Sequence, residues 1–110
     1  MGYYTSFKLE VLQNEKALPP NWREEIGGLS GYGESFLDSE WTEDCKWYES
    51  ENNMAEFSRK YPTVLFELEG IGEEQEDHWK AYFLNGQTQR CQAKITFDKF
   101  DKKKLKDYKN

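Results

Sequence analysis

Six carboxylates crowd one stretch of the chain: Glu67 and Glu69, then Glu73, Glu74, Glu76 and Asp77. Hard oxygen ligands at this density could hold Ca²⁺ or Mg²⁺ and activate a water. A metal loop, however, needs fixed ligand spacing around a glycine turn, and the EF-hand pattern is absent. The expectation is no metal and no cofactor. Glu73, Glu74, Glu76 and Asp77 read instead as a solvated loop or as an edge that meets a protein partner, with a divalent-metal-dependent enzyme as an alternative.

The remaining chemistry-bearing residues are sparse. His78 is the single histidine, placed on an outward strand position opposite Gln92, with no cysteine or serine at a catalytic spacing. A general acid or base needs a positioned partner and a pocket, so an ordinary exposed histidine is expected. Lys80, Tyr82, Arg90 and Lys94 are predicted to share one sheet face, an arrangement that binds RNA or nucleotides when bases stack on the aromatic. The RNP motifs are missing and the surrounding acid is unfavourable, so nucleic acid is the alternative partner. Trp41, in the polar run Ser39-Glu40-Trp41-Thr42-Glu43, is the tryptophan best suited to exposure and to a protein contact. Cys45 and Cys91 lack metal spacing and are expected to be small buried thiols. Gly31-Tyr32-Gly33 reads as a plain loop, since no Lys-Ser/Thr follows.

These residues must be positioned by a small set of elements. Asn85-Gly86 between two alternating apolar runs is the strongest short-range hairpin signal. A two-residue loop would set Trp79, Ala81 and Phe83 on one face and Cys91, Ala93 and Ile95 on the other. A three-residue loop, Leu84-Asn85-Gly86, with a bulge at Gly86, gathers them all on one face. The second pairing is expected, with Phe83 opposite Gln87 and Trp79 opposite Cys91.

Upstream, Thr5, Phe7, Leu9 and Val11 alternate along a predicted first strand. Asn21 is a candidate N-cap for a helix with Trp22, Ile26 and Leu29 on one face, expected to be short or broken because Gly27-Gly28 falls inside it. Ser35 to Trp41 and Asp44 to Tyr48 read as strands, with Thr42-Glu43 a candidate turn. Ser50 is placed to cap a second helix carrying Met54, Phe57 and Tyr61, which Pro62 ends. Val64, Phe66 and Leu68 then face the core. The sum is an α+β two-layer sandwich, with two helices on one face of a mainly antiparallel sheet. A ferredoxin-like split βαβ layout with a C-terminal hairpin is the expected form.

The chain has 110 residues and a net charge of −6. Residues 98–110 hold six lysines against three aspartates, so the tail is +3 and the body −9. The division expected is a single domain, 1–97, followed by a lysine-rich tail, 98–110, frayed or weakly docked. No stretch reads as a signal peptide or membrane span, so the setting expected is the cytoplasm, with reduced thiols. An acidic body favours basic protein partners over nucleic acid.

Lys46-Trp47-Tyr48, Met54 to Ser58, Tyr61-Pro62 with Val64-Leu65-Phe66, Gly72-Glu73-Glu74, Asp77, Trp79, Tyr82-Phe83, Asn85-Gly86 and Phe97 resemble an uncharacterised family of small acidic phage and mobile-element proteins. The resemblance spans roughly residues 45 to 100. It extends distantly to the YubB-type ferredoxin-like domain, which is similar in layout. It implies a mobile-element setting, and such proteins often inhibit host or defence proteins. It brings no catalytic residues. The function expected is thus a non-enzymatic acidic protein-binding module acting on a host or defence protein, as a monomer or edge-paired dimer.

Overall fold

The computed structural model describes residues 2–32 and 36–108. Gly33 of the predicted loop, Ser35 at the head of a predicted strand, and Met1, Lys109 and Asn110 of the predicted domain and tail lie outside the described residues. Four strands form one sheet in the order β1-β2-β3-β4: β1 (Thr5–Gln13), β2 (Leu65–Gly72), β3 (His78–Leu84) and β4 (Gln87–Gln92). Every neighbouring pair is antiparallel. Two helices, α1 (Trp22–Ser30) and α2 (Ser50–Lys60), lie in the connection from β1 to β2.

This is the expected α+β class in two layers, but not a split βαβ. In that layout the strands flanking a helix run parallel with a third strand between them. Here β1 and β2 lie side by side and antiparallel, because the connection brings the chain straight back beside the strand it left.

Alternation along the strands defines the core. Phe7, Gly70, Trp79 and Gln92 form one cross-strand row, Leu9, Leu68, Ala81 and Arg90 the next, and Val11, Phe66, Phe83 and Thr88 a third. The first three members of these rows are the buried or partly buried floor of the core. Both helices pack there: Trp22 of α1 and Phe57 of α2 bring their rings to 5.8 and 5.6 Å from Phe66. Ile26 and Met54 complete the helical side, fully buried. Burial of one such side chain is worth about 1.5–3 kcal/mol. Gly70 has a packing reason to lack a side chain, since a Cβ there would run into the indole of Trp79. The bare backbone lets that ring lie across the strand toward Phe7, 6.1 Å away.

Both helices form, α1 short but unbroken through Gly27-Gly28, with differences at their ends. Leu29 is exposed rather than on the buried face of α1. Asn21 stands at the N-cap but makes no side-chain cap bond, and the helix closes on Gly31 in the left-handed region. Ser50 is the first residue of α2, with Glu49 at the cap position.

The segment 36–48 forms no strand beyond an isolated bridge between Cys45 and Thr5. It is an irregular strap along the outer edge of β1. Thr5 and Cys45 exchange backbone bonds of 2.8 and 2.9 Å, and the Thr42 N–H donates to the Phe7 carbonyl at 2.8 Å. The Thr42 hydroxyl accepts from the Phe7 N–H at 2.9 Å. Its buried residues, Phe36, Thr42, Cys45 and Trp47, are spaced irregularly, which is why a period of two misreads it. Phe36 and Trp47 pack against each other at 5.1 Å and both against Phe7.

The loop between β3 and β4 has two residues, not three. Leu84 pairs with Gln87, Phe83 with Thr88 and Trp79 with Gln92. Asn85 (φ 48°) and Gly86 (φ 80°) both have positive φ, as a type I′ turn requires, and this turn matches the twist of the strands. The expectation that Cys91 and Ile95 join Trp79 on the core face is therefore overturned. Cys91 is exposed, and Ile95 and Phe97 are 72% and 90% exposed. The physical reason is the turn itself: with two residues it sets Cys91 on the face of Lys8, Glu69 and Lys80, away from the helices, and Ile95 lies beyond the last strand.

Two measurements follow from this register. In the native protein one thiol, Cys91, should react with an aqueous thiol reagent at near-model rates while Cys45 stays protected until unfolding. Protection of both thiols would restore the bulged pairing. Gly86→Ala should cost about 1–2 kcal/mol in denaturant unfolding, because a Cβ is strained at that φ and would also meet the Arg59 side chain.

Candidate functional site

The acidic loop, residues 73–77, joins β2 to β3 and is fastened to the start of β1. The Tyr3 hydroxyl donates to the Asp77 carboxylate at 2.5 Å and accepts from the Glu74 N–H at 3.1 Å. The Glu73 carboxylate accepts from the Tyr4 N–H at 2.9 Å. Within the loop, Gly72 N–H donates to the Asp77 carbonyl and Asp77 N–H to the Glu74 carbonyl. Two of the four carboxylates are thus structural fasteners. The side chains of Glu74 and Glu76 make no hydrogen bond or ion pair among the described residues, and they project from a loop whose backbone is held. No group of three or more potential ligands that could hold a metal ion occurs among the described residues.

Asp77 also acts on Tyr3. As an acceptor for the phenol proton, its carboxylate favours the neutral form and raises the Tyr3 pKa above its ordinary 10.0. Tyr82 is raised in the same direction by the Glu67 carboxylate, which stands directly opposite it across β2 and β3.

Among the described residues no helix covers the other face of the sheet, where charges alternate across the strands. Lys8, Glu69, Lys80 and Cys91 form one row, and Glu10, Glu67, Tyr82 and Gln89 the next. Lys80 reaches Glu67 at 3.8 Å and Lys8 reaches Glu10 at 3.6 Å. These lysines bracket the directly opposed Glu10 and Glu67, a pair that would repel if left alone. His78 bonds Glu69 at 2.5 Å. It is therefore outward as expected, but partnered. A shallow depression of about 210 Å³ opens beside it, lined by Glu69, His78, Lys80, Cys91 and Ala93 among others.

The four residues predicted to form a basic face are divided by the two-residue turn. Lys80 and Tyr82 stay on the open face. Arg90 turns to the helical side, its guanidinium 4.2 Å from the Trp79 ring centroid and 3.6 Å from the Glu51 carboxylate. It serves as a polar lid on the core rim. Lys94 lies beyond the last strand, exposed. The grouping proposed for nucleic-acid stacking is not assembled.

Trp41 is 39% exposed, in the strap that seals β1. No hydrogen bond, ion pair or ring contact among the described residues joins it to the acidic loop, so the two stand as separate exposed features. Tyr3 and Arg23 are organising residues that sequence reasoning missed. Arg23 donates to the carbonyls of Leu9 and Asp38 at 3.0 and 2.6 Å, tying α1 to β1 and the strap. Burial lowers its pKa from the usual arginine value, with the nearby acids opposing that shift. Neither residue carries a local signal, because Tyr3 meets partners more than seventy residues away.

A tyrosinate absorbance titration tests the fastening of the loop. Tyr3 should ionise late, and Asp77→Asn should return it toward the ordinary value, read as a difference from Tyr3→Phe. Because the folded pKa is the higher one, this contribution to stability is complete below about pH 10 and lost as pH rises through the folded pKa. An unchanged titration in Asp77→Asn would dissolve the contact.

No protein-family model matches the chain, and comparisons with curated proteins and with solved structures return no match.

Proposed function

We propose that the protein is a non-enzymatic, acidic protein-binding module, an accessory or inhibitor protein of a phage or other mobile element that acts in the cytoplasm on a host or defence protein. It works as a monomer or an edge-paired dimer. The observation that carries the reading is the acidic loop: its backbone is pinned by Tyr3 and Tyr4 while Glu74 and Glu76 are left unpaired. Rigid presentation of free charge lowers the ordering cost of association. It also steers a basic partner toward the site. Trp41 supplies a separate aromatic contact at the strap. The mobile-element setting rests on the resemblance of residues 45 to 100.

The test is affinity capture from a bacterial host lysate with the full chain as bait, at low and moderate salt. One protein should be retained, and retention should fall with salt. Glu74→Lys with Glu76→Lys should weaken binding about tenfold or more, and Trp41→Ala should weaken it separately. Capture of no protein, or capture indifferent to both changes, would overturn the assignment.

A further inference from the structure

The two edges of the sheet are treated differently. The outer side of β1 is closed by the strap at Thr5 and Phe7 and by Arg23 at the Leu9 carbonyl. The outer side of β4 is bare. The Ala93 N–H bonds the His78 carbonyl, so the odd residues of this strand turn their backbone toward β3. Thr88, Arg90 and Gln92 then point theirs away. No strand, loop or side chain meets those groups among the described residues.

Exposed edges are ordinarily protected by lysine, proline, a bulge or an inward charge. The sequence of β4, Gln-Thr-Gln-Arg-Cys-Gln, has no lysine or proline, its register with β3 carries no bulge, and all six residues are exposed. Its one charge, Arg90, is folded back over Trp79 and Glu51. Directly beyond it come Ile95, Phe97 and Phe100, each more than two-thirds exposed. The tail leaves the body: residues 94–108 make no hydrogen bond or ion pair to it among the described residues, and the molecule is 57 Å long but 35 and 24 Å across.

We propose that β4 is the seam of a homodimer, in which the outer edges of two copies pair antiparallel and each tail lies against the body of the other copy. Antiparallel pairing of identical strands is self-complementary about a two-fold axis, so one edge serves both partners. The strand's one charge, Arg90, is part-exposed but is paired with Glu51 within its own copy. The tail's +3 finds its complement in the −9 of the opposite body, and Ile95, Phe97 and Phe100 gain cover there. This proposal rests on the edge-paired alternative stated above and names its seam; its failure leaves the acidic-loop reading standing, since that concerns another surface and another partner.

Sedimentation equilibrium of the full chain should give twice the 13.1 kDa of the monomer at concentrations on the order of 100 µM, with dissociation on dilution. Thr88→Pro removes an outward N–H without touching the ladder to β3, and should raise the dissociation constant about tenfold or more. Ile95→Asp with Phe97→Asp should weaken the dimer in the same way, and carries the test if the proline variant fails to fold. A short bismaleimide should join two wild-type copies through Cys91 and fail with Cys91→Ser. A monomer at the highest concentration, a dimer insensitive to both variants, or a monomer whose tail binds phosphatidylserine vesicles would overturn the proposal.

Discussion

Strict alternation of side chains, carried through the tight turn at Asn85-Gly86, sets nearly everything else in this protein. Two positive φ values in succession fix a two-residue connection, and a two-residue connection fixes which side of β4 each residue takes. Trp79, Ala81 and Phe83 extend the apolar floor laid by β1 and β2, while Thr88, Arg90 and Gln92 close it with polar atoms. The core is consequently three strands wide. Helices α1 and α2 pack on it through Trp22 and Phe57, and Gly70 leaves room for the Trp79 ring to lie across it toward Phe7. The Arg90 guanidinium seals the remaining side of the indole.

The abundant acid is not one undifferentiated surface. On the open face, Glu10 and Glu67 are bracketed by Lys8 and Lys80, and Glu69 holds His78. These carboxylates are engaged by neighbouring side chains. In the loop, Glu73 and Asp77 act as acceptors that anchor the chain's beginning, leaving Glu74 and Glu76 free to act outward. Net charge alone could not draw that distinction, because it depends on which acids have partners. No helix among the described residues is long and apolar enough to cross a membrane.

Edge management divides the molecule further. The strap at 36–48 spends its backbone groups on β1 and its side chains, Phe36 and Trp47, on the core. It protects one side of the sheet without being a strand. At the other side the chain passes from a polar strand into exposed aromatics, and the apolar residues there have no cover within the fold. Uncovered groups of this kind are where a small domain meets something else.

The alternation of Phe7, Leu9, Phe66, Leu68, Trp79 and Phe83, the helical spacing of Trp22, Ile26, Met54 and Phe57, and the turn at Asn85-Gly86 were legible in the sequence, because local periodicity reports directly which face is apolar. So was the α+β class that follows from them. The parity across the turn was not, since counting apolar residues favoured bringing Cys91 and Ile95 inward. Only the register across the turn shows that Cys91 falls on the face away from the helices and that Ile95 lies beyond the last strand. The strap was misread because its buried positions answer to the edge of β1 rather than to any period of its own. The strand order, the split of Arg90 from Lys80 and Tyr82, and the fastening of the acidic loop by Tyr3 belong to the tertiary structure alone. Each is a relation between residues far apart in the chain, and only folding decides which distant groups meet.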